Sequence, residues 1–130
     1  MEPMSDYTIL NLEAVEDAAA KHGMAGTSVR FPRTAVGAER TGFAHQRLAP
    51  NTRQSFGHRH SDAEEVYFVI SGAGSVKLDD DVRDLRTHDI LRVAPRVMRC
   101  FEAGPEGLEM LAFGAHHEGD GELVHGYWQG

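Results

Sequence analysis

Beyond residue 26 the apolar positions fall in runs of four to eight residues, some alternating with polar ones and some unbroken. Clusters of Gly, Pro, Asn, Asp and Ser separate them. This texture predicts strands at 27–31, 41–48, 54–60, 65–70, 74–78, 82–85, 90–93, 98–102 and 108–113. Turns are expected at 49–51, 71–74, 79–81, 87–89 and 103–105. Many short strands at close spacing predict an all-β sandwich or barrel. The run from Val66 to Ile70 is apolar on both faces, so it should be covered on both sides. One side would be the barrel interior and the other a second layer or a partner chain, which makes a homodimer the expected assembly.

The segment before the strands reads differently. Asn11 is a suitable N-cap, Glu13, Glu16 and Asp17 suit the positive end of a helix dipole, and Ala18, Ala19 and Ala20 favour helix. Gly23 is a stop signal. One short helix is therefore predicted over 11–22. The division is an N-terminal helical segment (1–26), a barrel (27–113) and a tail (114–130) packed on the barrel. That tail is rich in Gly and His and expected to be irregular, with Tyr127 and Trp128 as its anchors.

Composition narrows the function classes. At 130 residues the chain fits one domain, and 41% apolar with 25% charged residues is ordinary for a globular protein. The net charge of −7 disfavours nucleic acid and anionic membrane surfaces as partners. A single cysteine, Cys100, excludes an intrachain disulfide. No stretch has the apolar length of a transmembrane span, and the first residues carry acids rather than a signal-peptide pattern. A cytoplasmic location is expected.

Candidate chemistry concentrates in 57–65. On a strand, residues i and i+2 share a face, so His58 and His60 present two imidazoles side by side. Glu65, five residues later and past a short turn, can close on the same point. Two nitrogens and one carboxylate suit a divalent transition metal with positions left open for water or substrate: iron, manganese, nickel or zinc. Alone, a His-x-His pair is a weak signal; the following acid and Gly72 sharpen it.

These residues resemble the cupin superfamily. Its first motif, G-x5-H-x-H-x3,4-E-x6-G, is matched by His58, His60, Glu65 and Gly72, with Thr52 in place of the opening glycine. The spacing selects Glu65 as the ligand and leaves Glu64 as an exposed neighbour. The second motif, G-x5-P-x-G-x2-H-x3-N, survives only as a frame. His88, Ala94, Arg96, Arg99 and Ala103 stand at its five marked positions. The resemblance implies a jelly-roll-like antiparallel barrel, often dimeric, and no particular reaction.

Arg99 takes the place of the fourth ligand, and arginine cannot ligate. Two readings follow. In one, His58, His60 and Glu65 still hold a metal, and Arg99 attracts an anionic small molecule with its forked donors. In the other there is no metal and Arg99 pairs with Glu65. Cys100, one residue on, faces the opposite side of the strand and reads as packing. Tyr67 and Val69 share the face of Glu65; Val69 reads as core and the Tyr67 hydroxyl as a ligand contact. His45 reads as a satisfied or exposed histidine, Met98 and Met110 as core, and His116 and His117 as solvent-exposed. Arg83, Arg86, Arg92 and Arg96 read as surface charges. The expected function is a metal-dependent, oxygenase- or isomerase-like enzyme on a small anionic molecule, or alternatively a metal-free binding or sensing barrel.

Overall fold

The computed structural model describes residues 6–21, 23–117 and 119–129. Eight strands carry the fold: β1 (Thr27–Arg30), β2 (Thr41–Leu48), β3 (Phe56–His60), β4 (Glu65–Leu78), β5 (Asp81–Arg86), β6 (Ile90–Val93), β7 (Arg99–Ala115) and β8 (Gly121–His125). All pairings are antiparallel and join into one curled sheet. Alternation sets the inner face, as it must on a pleated strand. Leu48, Tyr67, Val69, Val76, Phe101, Leu108 and Met110 close the core, and Met98 is buried beside them. No helix among the described residues is long and apolar enough to cross a membrane.

The predicted helix over 11–22 is not one helix. Asn11 does cap, accepting from the Glu13 amide at 2.9 Å, but what it starts is a single 3-10 turn, Leu12–Ala14. The chain then restarts as α1, Ala18–Lys21. Asp17 explains the break: its carboxylate accepts from the amides of Ala19 (3.0 Å) and Ala20 (3.4 Å), and from Val29 in β1 (3.0 Å). A cap that is also a strand contact ties the segment to the sheet instead of letting the helix run. Gly23 follows with φ +68, while His22 lies outside the described residues. A second short helix, α2 (Arg33–Val36), was not foreseen.

Two predicted turns are bends within long strands. The expected strands 65–70 and 74–78 are one strand, β4, with register shifts at Val69/Ser71 and Gly72/Gly74. Strands 98–102 and 108–113 are likewise one strand, β7. The two bend together: Gly72 (φ +79) lies against Gly107 (φ +82), so close that a Cβ on Gly72 would sit 2.1 Å from the Gly107 carbonyl oxygen. Bulges of this kind turn a strand without reversing it. The true reversals use Asn51, Asp79 and His88, all at positive φ, where short polar residues are tolerated.

The tail is ordered where irregular structure was expected. β8 pairs with all five residues of β3, from Phe56↔His125 to His60↔Gly121. Tyr127 then donates to the Asp79 carbonyl oxygen and packs its ring against Gly57, while Arg53 lies over the Trp128 ring at 4.8 Å.

Candidate metal centre

His58 and His60 point inward from β3, and Glu65 enters from the first position of β4. β3 and β4 share no ladder; β3 pairs with β8, and His58 pairs across to Arg99 of β7. The curl of the sheet brings the three side chains together, with one ligand atom of each lying within 4.8 Å of the others. Both His58 Nε2 and His60 Nε2 stand 3.2 Å from Glu65 Oε1. Tyr67 donates its hydroxyl to that same oxygen at 2.6 Å. Burial pushes the Glu65 carboxyl up, but the two imidazoles and the Tyr67 hydroxyl outweigh it and hold the group well below the ordinary carboxylate range. Glu65 is thus an anion in a mostly enclosed site, ready to meet a cation.

His60 is the informative member. Its Nδ1 and Nε2 atoms are buried, and neither meets hydrogen-bond angles with a described residue, although each lies within ion-pair distance of a carboxylate. Nε2 faces Glu65, and Nδ1 lies 3.3 Å from Asp120 Oδ2. A half-buried imidazole set between two carboxylates suits a metal ligand, which spends one nitrogen on the ion and turns the other to a carboxylate. The two-nitrogen, one-oxygen donor set fits a divalent transition ion for the same reason.

Asp120 was not singled out in the sequence. Its carboxylate accepts from the amides of Ser61 (2.9 Å), Asp62 (2.8 Å) and Ala63 (3.0 Å), and so holds the loop that carries the chain from His60 to Glu65. Burial opposes its ionised form, and these amides outweigh burial, keeping its carboxyl below the ordinary range. Only the pairing of β8 with β3 brings this aspartate to the site, and no local signal announces it.

Tyr67 and Arg99, expected as ligand contacts, both touch the residues of the cluster and are not among the described lining of the cavity. Tyr67 is fully buried against Phe101, ring centroids 4.9 Å apart, and its hydroxyl goes to Glu65 rather than to the cavity. Burial raises its phenol well above its usual range. Arg99 is also fully buried. Its Nη1 donates to the His58 carbonyl at 3.4 Å and its Nη2 to that of Ala94 at 3.2 Å, while Nε has no partner. It forms no ion pair with Glu65 among the described residues. Arg99 stands opposite His58 in the β3–β7 pairing, and its guanidinium is taken up by the carbonyls of His58 and Ala94.

A cavity of about 270 Å³ opens above the cluster. His60, Glu65 and Asp120 form its polar base, Phe31, Phe43, Ala44, Ala63 and Ala112 its apolar walls, and Arg33, His116 and His117 also line it. His117 is exposed and His116 half-buried, so the expectation that both are plain solvent histidines is incomplete. Cys100 is buried, its thiol pushed up to about 11 chiefly by burial, and is not part of the cluster. Glu64 is exposed and pairs with Arg92 at 3.4 Å. His45 is buried; its Nε2 pairs with Glu109 at 2.6 Å, while its Nδ1 has no hydrogen bond among the described residues.

A family model for the cupin domain matches residues 44–114. No curated protein sequence matches the chain. Among solved structures, a cupin protein from Bacteroides fragilis superposes with a TM-score of 0.71 at 21% identity, covering 95% of this chain and 92% of that one. A sugar phosphate isomerase from Silicibacter pomeroyi gives 0.68 at 16% identity, covering 91% and 92%. Oxalate decarboxylase from Bacillus subtilis gives 0.75 at 17% identity over 95% of this chain but 33% of the larger enzyme. At these identities the likeness is one of fold. The family model spans the strands that carry the two histidines, the glutamate and the bent β4–β7 pair, and on that ground the chain belongs to the cupin family.

Proposed function

We propose that this cupin binds a divalent metal ion on His58, His60 and Glu65 and uses it on a small molecule held in the cavity above, in chemistry of the oxygenase or isomerase kind. The observation that carries the proposal is the geometry of the cluster: one ligand atom each of His58, His60 and Glu65 lies within 4.8 Å of the others, and Asp120 Oδ2 stands 3.3 Å from the far nitrogen of His60. Its fold neighbours include an isomerase and a decarboxylase, which is compatible with catalysis but selects no reaction. A bound ion would supply Lewis acidity toward a substrate oxygen. The protein's own part is to fix its donors: Tyr67 orients Glu65, Asp120 faces the outer nitrogen of His60, and β8 holds β3 in place.

Elemental analysis of the purified protein tests this reading, with about one equivalent of iron, manganese, nickel or zinc expected per chain. No metal, even after reconstitution, would move the assignment to the metal-free binding barrel.

Two variants refine the test. Asp120→Asn keeps an amide oxygen to accept from the Ser61 and Asp62 amides, but turns an NH2 group toward His60 and the Ala63 amide in place of the accepting Oδ2. It is expected to weaken Co(II) binding about 10- to 100-fold, the usual scale for an outer partner of a metal-bound histidine. A Co(II) titration and the cobalt absorption bands read the effect, and an unchanged affinity and spectrum would remove Asp120 from the site. Arg99→His places an imidazole on the strand directly opposite His58 and removes a buried positive charge. Metal affinity should rise at least about 10-fold by competition with a chelator, since one cation–cation repulsion goes and one donor is gained. No rise would mean that position 99 cannot reach the ion.

A further inference from the structure

The cavity above the cluster has a second chemical end. Arg33, on α2, lines it together with Glu65 and His60. Its guanidinium is half-buried and held by two hydrogen bonds, Nη1 to the Ala38 carbonyl (3.1 Å) and Nη2 to Thr34 Oγ1 (3.4 Å). Gly37, in the left-handed region at φ +79, ends α2 and folds the chain back so that Ala38 meets the guanidinium. The side chain is thus fixed in direction, yet it has no carboxylate partner among the described residues. Arg47, Arg53, Arg59 and Arg92 each pair with one. A guanidinium has five donors in a rigid fork, so those two bonds leave donors for a planar anion.

The walls supply the rest of the description. Phe31 sits two residues before Arg33, lines the cavity, and is 60% exposed, an unusual fate for a phenylalanine beside a pocket. Phe43 forms another wall, and its ring is held by stacking on Phe113 at 6.2 Å and 16°. Ala44, Ala63 and Ala112 keep the space open. A volume of about 270 Å³ lies just under the range that takes drug-sized ligands, so the occupant is small. Charge then decides its kind. Arg33 is the only lysine or arginine in the described lining of the cavity, and its held guanidinium offers a fixed place for a negatively charged group.

We infer that Arg33 is the anion anchor of this pocket and that its ligand is a small carboxylic acid with a flat apolar body, the carboxylate on the guanidinium and the body against Phe31 and Phe43. Arg33 therefore takes the role that the sequence suggested for Arg99. The inference rests on the proposed function only in taking the cavity above His60 and Glu65 as the ligand site; it does not require a bound ion.

Calorimetric titration of the full chain with benzoate, and with benzyl alcohol as its uncharged counterpart, tests it before and after loading with Mn(II). The wild type should bind benzoate in preference to benzyl alcohol. Arg33→Gln should weaken benzoate about 10- to 30-fold, the scale of a lost charge-assisted hydrogen bond, and leave benzyl alcohol unchanged. Arg33→Lys, which keeps the charge and the stem, should fall between. Phe31→Ala should weaken both ligands alike, which separates the apolar wall from the charge. Benzoate binding that is undetectable in the wild type, or equal in wild type and Arg33→Gln, would overturn the inference. Metal content, measured in parallel, reports separately on the metal centre: a chain that takes up no Mn(II) but loses benzoate in Arg33→Gln refutes the metal reading and sustains this one.

Discussion

His58→Ala should reduce metal content from about one equivalent per chain to none that survives gel filtration. Three side chains supply every protein donor of the cluster, so each removal leaves two. Loss of an outer partner costs 10- to 100-fold in affinity, and loss of a donor atom should cost more than about 100-fold. His58 also has a second task. Its Nε2 lies 3.2 Å from Glu65 Oε1 and 3.4 Å from the Tyr67 hydroxyl, so it helps hold the carboxylate ionised and in place. The variant removes a donor and also loosens the neighbouring one. Elemental analysis with a Co(II) titration reads both effects. A full equivalent retained by His58→Ala would place any bound metal elsewhere and leave this cluster without its proposed role.

Gly72→Ala should be the most destabilising single methyl in the barrel, costing more than about 3 kcal/mol and lowering the thermal midpoint by roughly 10 °C. Two effects add. Gly72 lies at φ +79, where an alanine pays roughly 1 kcal/mol or more for its Cβ. The new Cβ would also meet the Gly107 carbonyl oxygen at 2.1 Å, a backbone atom with no side-chain rotation to relieve it. β4 and β7 would have to separate at their shared bend. Gly23→Ala is the control. Gly23 has a similar φ of +68, but no atom of the described residues lies within 4 Å of its would-be Cβ, so only the conformational part applies. Urea denaturation of the two variants measures the difference. Equal losses would show that the bend yields without strain and that the close approach at Gly72 carries no weight.

The histidine pair and Glu65 were legible because their geometry is local. A two-residue period fixes the shared face of His58 and His60, and a four-residue connection limits where Glu65 can go. β2 and β6 were legible to the residue because their patterns end at clear turn signals. The bends at Gly72 and at 103–105 were read as reversals, since glycine and proline announce a change of direction without its size. Whether the chain reverses depends on what lies opposite, and here a glycine faces a glycine across two strands. Arg99 was expected to hold an anion near the metal or to pair with Glu65, but its side-chain direction depends on the carbonyls of His58 and Ala94. Asp120 and Arg33 had no local signature. One reaches the pocket through β8 and the other through a four-residue helix, and both depend on pairings made far along the chain.

The attachment of β3 has a kinetic consequence. Its hydrogen bonds run mainly to β8, a strand separated from it by most of the barrel, with His58 alone paired to β7. Contacts so distant in sequence close late, after the entropy of the long intervening loop has been overcome. β2 joins β7 over a similar distance but through eight pairs, whereas β3 has five pairs with β8 and one with β7, so the ligand strand is the more weakly tied and is expected to open together with the C-terminal strand. An ion held by β3 and β4, which share no ladder, would rivet that late joint shut, so that metal capture and the final step of folding become a single event.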